Sequence, residues 1–241
     1  MIFLGFAMSF SCFSSNKKME TGVASGNGFA VVELFTSEGC SSCPPADAAV
    51  AAILKEYPGN VYVLGYHVDY WDRYGWKDVF SNVDYSRRQS SYAKRFELSS
   101  IYTPQVIVNG KEQFVGSDKI KLHNSINNEM KHSGTANLKI TAAARGGEII
   151  ISYETNATGN LNIALVQLQA QNKIERGENH GATLHHVNIV RDIKTIPLKT
   201  GNGKATLNLP NGLFMKDCRV IAFTQNENNL EITSAAQADI E

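Results

Sequence analysis

Hydrophobic residues fall along this chain in two different rhythms, and the change from one to the other predicts its organisation. Residues 29–36 form a short, nearly unbroken apolar run, Phe-Ala-Val-Val-Glu-Leu-Phe-Thr. β-branched and aromatic side chains dominate it, the pattern of a buried central strand. Ala49, Ile53, Leu54 and Tyr57 then recur at helical spacing until Pro58-Gly59 ends the run. A second apolar strand is expected over residues 61–68, and a third over 102–111 that enters a tight turn at Asn109-Gly110, with a partner strand at 113–115. Helical character between the second and third strands rests on Arg87, Arg88, Gln89, Tyr92, Ala93 and Phe96, and residues 117–131 read as a closing helix. The expected order is β-α-β-α-β-β-α.

Beyond His132-Ser133-Gly134 the rhythm shortens to alternation, as in Leu138, Ile140, Ala142 and again in Ile149, Ile151, Tyr153. Strands are expected over 136–142, 148–154, 162–169, 185–192, 204–209 and 219–224, separated by turn signals such as Gly146-Gly147 and Asn211-Gly212. The pattern predicts an α/β domain over residues 29–132 followed by a small all-β, sandwich-like domain over 133–241. Residues 1–28 read as an export segment and a Gly/Ser-rich linker.

Composition narrows the function classes. With 241 residues, 43% hydrophobic and 19% charged, the chain has the make-up of a folded globular protein. Lys+Arg and Asp+Glu both number 23, so no broad basic surface exists to hold a phosphate backbone, and nucleic acid is not an expected partner. The apolar stretch from Met1 to Ser11 is too short to span a bilayer and reads as an export signal, which places the protein outside the cytoplasm, in the periplasm or anchored to the envelope. Cys12 would be a lipid attachment site if it opens the mature chain, and the membrane is expected as a partner only through that anchor; the alternative is that Cys12 is discarded with the signal.

Candidate chemistry centres on Cys40-Ser41-Ser42-Cys43. A two-residue gap between cysteines serves redox motifs or metal knuckles, and no second Cys-x-x-Cys or His-x-x-His is present to close a four-ligand zinc site. At a helix start, backbone amides and the helix dipole stabilise a thiolate, which makes Cys40 the expected attacking sulfur and Cys43, one turn on, the resolving one. Ser41 and Ser42 add hydroxyl donors that favour the thiolate. Three readings of the pair stay open: a redox dithiol, a permanently closed structural disulfide, or a metal site. His67, Asp69, Tyr70, Trp71 and Asp72 follow the second strand and should lie at the same sheet edge as Cys40. His67 would there lower a thiol pKa, bind copper or zinc together with Cys40 and Cys43, or serve only structure. Arg176-Gly177-Glu178-Asn179-His180-Gly181 and His185-His186 are expected in a hydrogen-bond network at the domain interface, with ligand or metal binding as the alternative. Cys218 reads as an apolar filler.

A strand, then Cys40-x-x-Cys43 opening a helix, then Thr103-Pro104 before a β-hairpin, resembles the thioredoxin fold over residues 29–131. The resemblance implies a cis peptide bond before Pro104, packing of that proline against a Cys40–Cys43 disulfide, and Thr103 facing substrate. In such proteins a buried acid often lies in the strand before the cysteines; Glu33 lies in that strand, where it would deprotonate Cys43, or would instead be an acid paired to a lysine or facing solvent. A closer resemblance, over nearly all of the mature chain, is to the uncharacterised thioredoxin-like family DUF1223. Glu33-Leu34-Phe35-Thr36-Ser37-Glu38-Gly39-Cys40-Ser41-Ser42-Cys43-Pro44-Pro45-Ala46-Asp47, His67-Val68-Asp69-Tyr70-Trp71-Asp72, Gly75-Trp76-Lys77-Asp78, Arg88-Gln89, Tyr102-Thr103-Pro104-Gln105 and Arg176-Gly177-Glu178-Asn179 carry it. It implies a fold and a site but no substrate. The expected function is thiol-disulfide exchange without a bound cofactor, acting on protein thiols or disulfides. The rival is a non-catalytic module with a static disulfide that contacts another envelope protein, or one that handles copper or zinc.

Overall fold

A computed structural model describes residues 28–132, 134–199 and 201–241. The export segment, the linker up to residue 27 and Cys12 lie outside the described residues. The first half runs β1 (Ala30–Thr36), α1 (Pro44–Glu56), β2 (Val61–His67), a 3-10 helix (Asp69–Tyr74), α2 (Val83–Arg95), β3 (Gln105–Val108), β4 (Glu112–Val115) and α3 (Lys119–Glu129). The second half is β apart from a 3-10 turn at Met215–Asp217: β5 (Leu138–Arg145), β6 (Glu148–Thr155), β7 (Asn160–Lys173), β8 (Thr183–Pro197), β9 (Asn202–Asn208), β10 (Cys218–Gln225) and β11 (Ile232–Asp239).

The expected fold class is corrected by the sheet topology. An α/β domain followed by a separate β-sandwich is not what forms; one mixed eight-stranded sheet runs β11-β10-β7-β8-β2-β1-β3-β4 through both halves, and only β5, β6 and β9 make a second sheet. The molecule is thus mostly β. The physical reason lies in β2 and β7. All seven residues of β2 are buried, so the strand needs a neighbour on each side; β1 pairs it in parallel on one, and β8 joins it on the other at Gly65 and Ile189. In β7 the six residues from Leu161 to Val166 are all buried, because both faces of that strand are covered.

Three clusters fill the structure. Ala30, Val32 and Leu34 of β1 face α1 and α3, meeting Ala46, Ala49, Val50 and Ile53 on the first helix and Leu122 and Ile126 on the other. Val31 and Phe35 point the opposite way and join Tyr66, Tyr85 and Tyr92 to Val166, Ile221 and Phe223 from the second half. The three-stranded sheet supplies Leu138, Ile140, Ile149 and Ile151 against Leu161, Ile163, Leu165 and Val220. The strict two-residue period of β1 therefore assigns Glu33 to the tyrosine side and Thr36 to the α1 side.

The Asn109-Gly110 turn forms as expected, with both residues at positive φ. Asn109 also ties the turn to β1, its Oδ1 accepting from Val31 N at 2.7 Å. Gly110 cannot carry a side chain, since a Cβ there would sit 1.9 Å from the Leu230 carbonyl oxygen.

Candidate functional site

Strand β1 ends at Thr36, and the loop Ser37–Gly39 delivers Cys40 to the head of α1, where Cys43 is the N-cap and Pro44 and Pro45 follow. Those prolines carry no N–H, so the first helical turn offers fewer amides than an ordinary helix N-terminus. Stabilisation of a thiolate must come from elsewhere. Around Cys40 it comes from the Cys43 thiol first, then from Ser42, whose Oγ lies 3.2 Å from the sulfur, from the Thr103 hydroxyl and from the Ser42 amide. These donors outweigh burial and pull the Cys40 pKa down to about 6. Burial, the neighbouring Cys40 and the Asp47 carboxylate push Cys43 well above the ordinary thiol range, against which the Thr36 hydroxyl acts. The two thiols, both without exposed surface, are therefore polarised in opposite senses. Both are free thiols in the structure, as is Cys218, which is buried in the third cluster.

Thr103 is held for this contact. The Thr103-Pro104 peptide bond is cis, and Trp71 Nε1 donates to Thr103 Oγ1 at 2.7 Å, which leaves the threonine proton free to point at the sulfur. Trp71 also packs on Gly39, whose missing Cβ would lie 3.4 Å from the Trp71 Cβ. Tyr70 stands beside both thiols, its phenol pushed up by burial, with the charge of Cys43 and Cys40 adding to the effect.

Two sequence candidates are placed elsewhere. Glu33 is on the far face of β1, where Arg88 grips it through Nε and Nη2 at 2.5 and 3.0 Å and Tyr92 donates to it. It neither faces solvent nor pairs with a lysine. His67 is joined through Nδ1 to Asp78 Oδ2 at 2.6 Å, and Asp78 also accepts from Glu38 N and Phe80 N. Burial opposes the Asp78 charge, but His67 and the two amides hold its carboxyl low. Among the described residues no three His, Cys, Asp or Glu side chains are grouped to hold a metal, so Cys40, Cys43 and His67 do not converge on one.

A further polar group sits behind Cys43: Asp47 and Glu38, to which the sequence assigns no role, and His186, expected in an interface hydrogen-bond network. Asp47 lies one turn along α1 from Cys43, and its Oδ2 accepts from Thr36 Oγ1 at 3.1 Å while Oδ1 is 3.3 Å from His186 Nδ1. His186 arrives on β8, nearly fully buried, with Nε2 3.5 Å from Glu38 Oε1. Burial disfavours its charge, but the Asp47 and Glu38 carboxylates prevail and raise the pKa to about 9. Glu38 in turn accepts from Trp76 Nε1 at 2.8 Å and from Asn172 Nδ2 at 2.6 Å. The i, i+4 spacing of Cys43 and Asp47 was a usable signal for this acid; the approach of His186 was not, because it depends on the sheet pairing.

The turn between β7 and β8 lies over the cysteine loop. Asn179 Nδ2 donates to the carbonyls of Glu38 and Cys40 at 2.8 and 3.0 Å, and Glu178 accepts from both the amide and the hydroxyl of Ser41, at 3.1 and 2.7 Å. Gly177 allows close passage, since a Cβ there would meet Trp76 Cβ at 3.2 Å.

A family model described as "Protein of unknown function (DUF1223)" matches residues 31–225. A crystal structure of protein AGR_C_4864 from Agrobacterium tumefaciens is similar, with 26% identity and a TM-score of 0.64, covering 86% of this chain and 92% of that one. HBP35 of Porphyromonas gingivalis shares the fold at 17% identity and a TM-score of 0.59, covering 90% of this chain and 76% of that one. None of the curated proteins compared with the chain matches it.

Proposed function

Because the chain belongs to the DUF1223 family, whose activity is not established, we propose its function from the site alone: a thiol-disulfide exchange protein in which Cys40 attacks a substrate disulfide and Cys43 resolves the adduct. The observation that carries this reading is the ring of donors from Cys43, Ser42 and Thr103 on the Cys40 sulfur, set beside a second thiol held protonated by burial. A thiolate at neutral pH is the nucleophile that exchange requires, and a buried partner one turn on is placed to displace the mixed disulfide. The extracytoplasmic setting expected from Met1 to Ser11 belongs to the same proposal, as does a protein thiol or disulfide as the substrate. Stabilising the Cys40 thiolate favours the reduced form. Moving its pKa from 9.0 to about 6 lowers the reduced state by about 1.4 kcal/mol at neutral pH, or about 30 mV in a two-electron couple.

The test is the redox equilibrium of the reduced protein in glutathione buffers, read by mass after alkylation, with copper and zinc added to parallel samples. The expected result is one reversible Cys40–Cys43 disulfide with a midpoint above about −270 mV, the thioredoxin value. A disulfide still closed below about −300 mV would support the static module instead, and thiols protected only when metal is added would support metal handling.

A further inference from the structure

Resting on the exchange reading above, we propose that Thr36, Asp47 and His186 form a proton relay for Cys43. The Thr36 hydroxyl passes the Cys43 proton to Asp47, and His186, supplied by β8 from the other half of the chain, holds the Asp47 carboxylate in place. Thr36 donates to Asp47 Oδ2 at 3.1 Å and lies close enough to Cys43 to act on its thiol, so one hydroxyl sits between acid and base. Asp47 is 7% exposed, and a carboxylate so placed is fixed by the polar groups that meet it. His186 Nδ1 at 3.3 Å is one of them.

The surroundings of His186 agree with this role. Asp47 faces it from α1 and Glu38 from the β1–α1 loop, so two carboxylates hold one imidazole. His67, from β2, meets its ring edge-on at 4.7 Å but is itself joined to Asp78, and Phe80 closes a further side at 6.0 Å. Glu33 cannot substitute for Asp47, being on the opposite face of β1 and bound to Arg88.

The step balances as follows. Cys40 has displaced one thiolate from the substrate disulfide and is bonded to the other half. The Cys43 proton moves to Thr36 Oγ1 as the Thr36 proton moves to Asp47 Oδ2. The Cys43 sulfur then forms a bond to the Cys40 sulfur, the Cys40–substrate S–S bond breaks, and its electron pair leaves on the substrate thiolate. The dithiol is oxidised by two electrons and the substrate disulfide is reduced; Asp47 returns its proton to solvent. Thr36 and Asp47 handle the proton, and His186 is a positioning residue.

Ellman's disulfide, one equivalent against the reduced full-length protein in stopped flow, separates the two steps, with peptide mapping to place any adduct. Attack by Cys40 releases one thionitrobenzoate, and resolution by Cys43 releases the second. Thr36→Val, which keeps the shape and deletes the hydroxyl, should leave the first release unchanged and slow the second about 100-fold, with the Cys40 adduct accumulating. Its second step should acquire a tenfold rise per pH unit, as hydroxide replaces the relay. Thr36→Ser should restore the native rate. His186→Gln should slow the second release about tenfold at neutral pH, with the deficit narrowing as pH rises through about 9, where native His186 loses its charge. A second release of native speed and pH profile in Thr36→Val and His186→Gln overturns the relay while leaving exchange intact. No release from the native protein removes exchange and the relay together.

Discussion

Thr103→Val tests the origin of the Cys40 thiolate most directly. The substitution keeps the volume of the side chain and removes the hydroxyl that lies between Trp71 Nε1 and the sulfur. A hydrogen bond to a charged group contributes about 1.5–3 kcal/mol, and 1.36 kcal/mol corresponds to one pKa unit, so the Cys40 midpoint should rise by about one to two units. The native protein, titrating at about 6, has half its Cys40 ionised at that pH; the variant should have about a tenth to a hundredth. Iodoacetamide modification of the reduced protein across a pH series, quantified on the Cys40 peptide, reads this as a rate lowered about 5- to 50-fold near pH 6 that rejoins the native curve at alkaline pH. Thr103→Ser should behave as native. A midpoint unmoved in Thr103→Val, or a native midpoint near the ordinary thiol value of 9.0, would refute the donor-ring account.

Other outcomes follow from the same geometry. Glu33→Gln leaves partly buried Arg88 without its counter-charge and should destabilise the protein by up to about 3 kcal/mol in urea unfolding, with the Cys40 titration unchanged. His186 has a folded pKa of about 9 against 6.5 ordinarily, a raised value, so its charge contributes stability fully below about pH 6.5 that is lost as pH rises through about 9. The stability gap between the native protein and His186→Gln should therefore shrink by up to about 3 kcal/mol over that window, measured by denaturant unfolding at each pH. Asn179→Ala removes the two hydrogen bonds by which the β7–β8 turn holds the cysteine loop, and should speed Cys40 alkylation about tenfold at fixed pH without moving its midpoint. A shifted midpoint would mean that Asn179 acts on the thiolate itself.

Local features were legible because they are written in adjacent residues. The Asn109-Gly110 turn needs two residues tolerant of positive φ, and the cysteine pair with Ser42 sits inside one loop. Thr103-Pro104 could be read because its place before the hairpin resembles the thioredoxin pattern, which implies the cis bond. What escaped depended on pairing across long separations. The sheet joins β8 to β2 through residues 189 and 65, and nothing near His186 in sequence announces Asp47. Strand β11 was missed for a compositional reason: Ile-Thr-Ser-Ala-Ala-Gln-Ala-Asp has weak strand propensity, yet its alanines lie buried where the layers approach closely. Glu33 shows the converse: its strand is readable from the sequence, but the side it faces depends on where Arg88 and Tyr92 pack.

The long β7–β8 hairpin also fixes the order in which the protein becomes chemically competent during synthesis. Translation delivers both cysteines, Thr36 and Asp47 early, while Glu178, Asn179 and His186 emerge more than a hundred residues later; Asn179 and Cys40 alone are separated by 139 positions. Until that hairpin arrives, β2 is an apolar strand with one open edge, and an emerging first half carries a template for mispairing with other chains. The same arrival covers the cysteine loop and gives Asp47 its counter-ion, so a nascent chain does not carry the finished thiol pair. Its reactivity matures when the sheet is completed.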